Sequence, residues 1–202
     1  MPPKSVAGFG LIELLVAVSI MVVVTTVVLA NHGSFTSTSL LRTQAYDMAL
    51  RIREAQQSAV NAQGSSGNFS TLLGVRWRSS VSNRYDIFSI PFFEDGPGVD
   101  LVPAQVSIFG TPGVLDDRFS ILCVRRVTSG TPEACGSTTG VFIVFKRPNF
   151  DALFYDSNGN RTTNVESVIF TLGRVGDTFD SAAVGTTQRS VIITRSGQIT
   201  VQ

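Results

Sequence analysis

The sequence predicts an α+β fold in which a long N-terminal helix, apolar in its first half and amphipathic in its second, precedes a β-rich domain. Three observations predict it. From Leu14 to Ala30 there is no Asp, Glu, Lys or Arg, and Phe9 to Ile12 are equally uncharged. Leu41, Ala45, Met48, Ile52, Ala55 and Ala59 recur at alternating spacings of four and three, which puts them on one face of a helix. Beyond Asn68 the pattern changes to short runs of Val, Ile, Phe and Thr separated by Gly, Pro, Asn and Asp, the signature of strands and turns.

The totals bound the answer without naming it. A chain of 202 residues with 43% apolar content and a net charge of +1 has material for one domain and an additional segment. Nothing in these figures suggests disorder or a strongly basic nucleic-acid binder.

Residues 1–8 read as a polar leader with one positive charge, Lys4. The order of features differs from a secretory signal, whose small-residue cleavage site follows the apolar stretch. Here Ala7 and Gly8 precede it. A cut between Gly8 and Phe9 leaves the apolar helix on the product as an anchor. From Phe9 to Ala30 it has 22 residues, about 33 Å of helix, enough for a hydrocarbon core of roughly 30 Å. Glu13 lies inside this stretch. An acid at membrane depth costs about 2.5–3.5 kcal/mol on insertion scales, so it needs a counter-charge. A new α-amino group on Phe9 supplies one, either one helical turn away in the same chain or on a neighbouring subunit, where the pairing also sets axial register.

The run Gly8-Phe9-Gly10-Leu11-Ile12-Glu13-Leu14-Leu15-Val16 resembles the prepilin cleavage and methylation signature of type IV pilins and type II secretion pseudopilins. The resemblance implies cleavage by a prepilin peptidase after Gly8, N-methylation of Phe9, and docking into a filament guided by Glu13. It further implies a pilin-like fold, with the long helix packed on a C-terminal antiparallel β domain. The implied partners are the peptidase, other pilin or pseudopilin subunits, an inner-membrane assembly platform and membrane lipid. Gly10 departs from the pattern, since many members have Thr there.

After Ala30, Asn31-His32-Gly33-Ser34 is a breaker cluster expected to kink or locally melt the helix where it leaves the membrane. The amphipathic continuation spans 31–64. Its stripe is short and Ala-rich, which favours packing on a sheet over a coiled-coil seam, and Asp47 and Arg51 form an i,i+4 pair. In the β domain, 65–202, expected strands are Leu73 to Arg78, Tyr85 to Ile90, Gln105 to Phe109, Phe119 to Val127, Val141 to Lys146, Leu153 to Tyr155 and Val168 to Leu172. Val191 to Thr194 and Ile199 to Val201 form a closing hairpin. The segment Arg53 to Val60 and the ending Val191 to Ile199 resemble minor pilins of the GspH/FimT type.

Cys123 and Cys135 enclose the turn formers Ser129, Gly130, Thr131 and Pro132. In an oxidising compartment they close a loop whose bond contributes about 3 kcal/mol on a chain-entropy model; in a reducing one they remain two small hydrophobes. No nucleophile elbow, phosphate-binding Gly loop or Cys/His metal spacing occurs, so no catalytic residue, cofactor or metal is assigned. His32 reads as interfacial. Asp156, Asn158 and Asn160 begin like a calcium loop, but Gly159 comes too early and the twelfth position is Ser167, so an Asx-Gly turn is the favoured reading. The carboxylates Asp95, Asp100, Asp116 and Asp117 read as solvated. Arg76-Trp77-Arg78 reads as a core Trp behind a solvated basic face.

The expected function is a structural subunit held in the inner membrane by a single span with its C-terminal domain in the periplasm, then incorporated into a type IV pilus or secretion pseudopilus. The alternative is a filament-borne DNA-uptake receptor or adhesin. For DNA contact the C-terminal region offers only Arg189 and Arg195, so nucleic acid is not an expected partner.

Overall fold

A computed structural model of the chain describes residues 10–61, 71–91, 100–145 and 150–202. The first element, α1, is one helix, Leu11–Val60. It runs through Asn31-His32-Gly33-Ser34 without a break in its hydrogen-bonded pattern, contrary to a locally melted segment. Helix propagation is cooperative, and a single Gly costs only about 1 kcal/mol relative to Ala in a helix interior. The cooperativity of a helix that continues on both sides of the cluster outweighs that cost.

The chain divides into two compact units, Met1–Ser39 and Leu40–Gln202. In the first, Leu11–Leu29 is long and apolar enough to cross a membrane. Its few hydroxyls are satisfied within the helix: Ser19, Thr25 and Thr26 donate to the carbonyls of Leu15, Met21 and Val22 at 2.8, 2.7 and 2.8 Å. Such back-bonding is how a helix in lipid accommodates Ser and Thr.

Among the described residues, the second unit joins the rest of α1 to eleven strands: β1 (Thr71–Arg78), β2 (Arg84–Pro91), β3 (Ser107–Ile108), β4 (Gly113–Val114), β5 (Phe119–Thr128), β6 (Thr131–Pro132), β7 (Gly140–Phe145), β8 (Ala152–Asp156), β9 (Val165–Arg174), β10 (Arg189–Thr194) and β11 (Ile199–Val201). They form two antiparallel sheets. One has the order β3-β2-β1-β7-β8 with β4 also on β2, and the other the order β11-β10-β9-β5-β6. The expected strand from Gln105 to Phe109 shrinks to β3, because Pro103 nucleates a 3-10 turn, Pro103–Gln105, just before it; proline fixes φ and has no N–H for a ladder. Strands β4 and β6 have two residues each and were too short to register as alternation.

The apolar stripe of α1 packs on β structure. Leu41, Ala45, Met48, Ile52, Ala55 and Ala59 are all buried in one cluster with Leu73, Val75 and Trp77 of β1, Ile143 and Phe145 of β7, Phe170 and Leu172 of β9, and Val191 and Ile193 of β10. The Ala residues are what allow close approach of the helix backbone. A second cluster, Leu72, Phe88, Ile90, Leu101, Phe142, Val144 and Tyr155, covers the other face of the first sheet. Strand β7 is therefore buried on both faces, which explains why it reads as the unbroken run Val-Phe-Ile-Val-Phe without alternation.

Two local devices pin the far ends. Cys123 on β5 is disulfide-bonded to Cys135, with Cα atoms 5.6 Å apart, and the turn between β5 and β6 has both central residues at positive φ, Ser129 and Gly130, the geometry that matches strand twist. At the other end, buried Gln56 of α1 donates through Nε2 to the carbonyls of Phe150 at 3.0 Å and Gly197 at 2.8 Å. Gly197 has φ of 77°, and a Cβ there would lie 1.8 Å from the Phe150 carbonyl oxygen. Only glycine lets the β10–β11 hairpin, the Phe150 segment and the helix meet so closely.

Candidate functional site

The site suggested by the sequence is the start of α1. Gly8 and Phe9 lie outside the described residues. Glu13 lies in the first turn of the helix, where an acid complements the helix dipole, and its amide donates to the Gly10 carbonyl at 3.0 Å. Around it Leu11, Ile12, Leu14 and Leu15 are exposed. Between Lys4 and Arg42, Glu13 is the only Asp, Glu, Lys or Arg. The segment is thus an apolar rod that is exposed from Gly10 to Leu29 and carries one charge near its tip. A surface of this kind is satisfied by lipid or by like helices, and the lone acid by a cation at the same depth.

Residues 3–29 match the family model of the prokaryotic N-terminal methylation motif. That motif is the type IV pilin prepilin signature, and the apolar helix Leu11–Leu29 that it overlaps fits a membrane-anchored, pilin-like chain. No curated protein and no solved structure matches the chain.

In the β domain the residues that the sequence singles out take local partners. Arg189 opens β10 and Arg195 follows its end, about 20 Å along an extended strand, and each guanidinium donates locally, Arg189 to the Gln188 carbonyl and Arg195 to the Thr163 carbonyl. The Asp156 loop is an Asx-type turn: Oδ1 accepts from the amides of Asn158 at 2.8 Å and Asn160 at 2.9 Å, and Oδ2 from the Asn160 side chain at 2.9 Å. Burial would raise the Asp156 pKa, but these hydrogen bonds and the Arg126 charge outweigh it and hold it low. Both oxygens are thus committed to the turn. Among the described residues no group of three or more His, Cys, Asp or Glu could hold a metal.

Of the loop carboxylates, Asp95 and the side chain of His32 lie outside the described residues. Asp100 caps the loop by accepting from the Arg161 amide at 3.0 Å. Asp116 takes both Arg118 Nε at 2.8 Å and Arg118 Nη2 at 2.9 Å, and this fork holds its pKa down to about 2. Each is a turn-stabilising acceptor rather than a free carboxylate.

One constellation escaped the sequence reading. Arg76 is not on a solvated face: only 14% of its side chain is exposed, and its Nη2 donates to Asp86 Oδ2 at 2.8 Å. Asp86 itself is 4% exposed and also receives Arg84 Nε on Oδ1 at 3.0 Å, with Arg78 Nη2 at 3.4 Å. Burial alone would raise the Asp86 pKa; the hydrogen bonds and charges of Arg76 and Arg84 reverse that and leave it lowered. The signal was present as Arg76-x-Arg78 and Arg84-x-Asp86, two i,i+2 pairs that each fall on one strand face, once the β1–β2 hairpin is recognised and places Arg76 opposite Asp86. Trp77, pointing the other way, is buried in the main core.

Proposed function

We propose that the chain is a structural subunit, a minor pilin or pseudopilin of the GspH/FimT type, that enters or primes a type IV pilus or type II secretion pseudopilus. The observation that carries this reading is the methylation motif at residues 3–29, which takes in the exposed apolar segment Leu11–Leu29 with Glu13 as that segment's only charge. Prepilin peptidase removes residues 1–8 and methylates Phe9. Residues 9–30 then span the inner membrane, 31–64 continue the helix, and 65–202 form the periplasmic domain. The disulfide between Cys123 and Cys135 supports an oxidising compartment for that domain.

On assembly, the helix leaves lipid for a bundle of like helices, and Glu13 meets the α-amino group of a neighbouring Phe9. Transfer of the apolar face from lipid to protein offers little hydrophobic gain, so the ion pair is what defines the stagger between subunits. Glu13→Val, expressed in the native host, is expected in the membrane fraction at wild-type level and to be depleted from sheared filaments or pseudopili. Equal incorporation of the variant and wild type contradicts the role given to Glu13.

A further inference from the structure

The cluster on the outer face of the first sheet has more positive charge than its internal partner neutralises. Arg76, Arg78 and Arg84 surround the single carboxylate of Asp86, leaving an excess of two charges. Asp86 does not use up the donors. Each guanidinium is a planar fork with several N–H groups, and each gives one of them to Asp86. Arg78 is held at 3.4 Å, too long for a strong charge-assisted bond, and about half of its side chain is exposed. Arg76 Nε is buried with no acceptor among the described residues, a donor left at a cost.

The same four residues and Val81 line a cavity of about 80 Å³, several times the space one ordered water needs. The floor beneath is rigid: Arg76 lies over the Phe142 ring with its guanidinium carbon 5.9 Å from the centroid, and Phe88 packs edge-on to Phe142. Asp86 accepts one N–H from each guanidinium, at 2.8 Å from Arg76 and 3.0 Å from Arg84, and restrains these two. An oxyanion in the cavity is offered N–H groups not given to Asp86, with part of the side-chain entropy of Arg76 and Arg84 already lost to their bonds with that carboxylate.

We propose that the Arg76, Arg78 and Arg84 cluster is a binding site for a tetrahedral phosphorus oxyanion, either free phosphate or the phosphodiester of a phospholipid headgroup. The site lies on the β domain and is separate from the processing and assembly functions of α1. Three guanidinium groups carry more donors than the one carboxylate of Asp86 accepts, which suits a phosphorus oxyanion with its several acceptor oxygens.

The test is a titration of the full-length protein in non-ionic detergent, at constant ionic strength, with inorganic phosphate in one arm and glycerophosphoglycerol, a soluble headgroup diester, in the other. Binding is read by calorimetry and by backbone amide shifts of β1 and β2. Saturable binding in either arm, weakened about ten-fold or more in Arg78→Gln and in Arg84→Gln and unchanged in Arg51→Gln, is the expected result; the arm that binds more tightly identifies the source. Because Arg78 and Arg84 are the more exposed members, both variants are expected to fold, which unchanged thermal unfolding without ligand checks. No binding in either arm, or equal binding by Arg78→Gln, Arg84→Gln and wild type, overturns the proposal.

Discussion

Gln56→Met is the sharpest probe of how the helix is fastened to the β domain. Met preserves the unbranched shape and length of Gln and removes only the amide. The Gly197 carbonyl then loses a 2.8 Å bond in a buried position, and the Phe150 carbonyl a 3.0 Å bond in a partly buried one. A buried acceptor left unpaired costs about 1–3 kcal/mol, and one that water can reach costs about the net value of a hydrogen bond, roughly 1 kcal/mol. The expected loss is therefore about 2–4 kcal/mol, or roughly 4–16 °C in Tm for a domain of this size. Trp77 is the chain's single tryptophan and is buried, so its fluorescence in a urea titration reads the unfolding directly. The midpoint should fall without a change in the slope. Neighbouring Gln57, which is exposed, provides the control: Gln57→Met should stay within about 0.5 kcal/mol of wild type. Gln56→Glu sharpens the test through its pH dependence. Facing two carbonyl oxygens, the new carboxyl keeps its proton in the folded state above its unfolded value of about 4.3, so the folded state binds more protons. The variant is then closest to wild type in acid and loses stability as pH rises through the raised folded pKa. A Gln56→Met loss below about 0.5 kcal/mol would refute the tether.

Other perturbations have equally definite outcomes. Asp86→Asn should cost about 2–3 kcal/mol near neutral pH, as bonds to a charged acceptor are lost. Since the folded pKa of Asp86 is lowered, its contribution is fully present above the unfolded value near 3.9 and fades as pH falls through the folded one; the gap between variant and wild type in urea titrations should close in acid. Cys123→Ser should lower stability by about 3 kcal/mol under oxidising conditions, and addition of a reductant should bring wild type to the same midpoint.

The sequence made the helix legible because both of its halves carry strong periodic signals: an uncharged run in one and a four-three stripe in the other. The strands showed where they are half-buried, as in Val191 to Thr194, or wholly buried, as in β7. Two-residue strands such as β4 and β6 have no period to detect, and Pro103 converted half of an expected strand into a 3-10 turn. The breaker cluster at Asn31 to Ser34 misled because local propensity, at about 1 kcal/mol per residue, is smaller than the cooperativity of a 50-residue helix. Asp86 was missed for a different reason. A buried acid beside arginines is visible only once β1 and β2 are paired, since the partners are ten and two residues apart in the chain. Gln56 was hidden in the same way: it follows Ile52 by four residues and belongs to the buried face, but its partners are 94 and 141 residues distant.

The pairing proposed for Glu13 requires a newly made amino terminus at Phe9. Intact-mass and N-terminal peptide mass spectrometry of the protein purified from its native membranes tests it most directly. The expected product begins at Phe9, carries one added methyl group and retains the apolar segment; a product with residues 1–8 still attached, or one cut beyond Ala30, rules the pairing out.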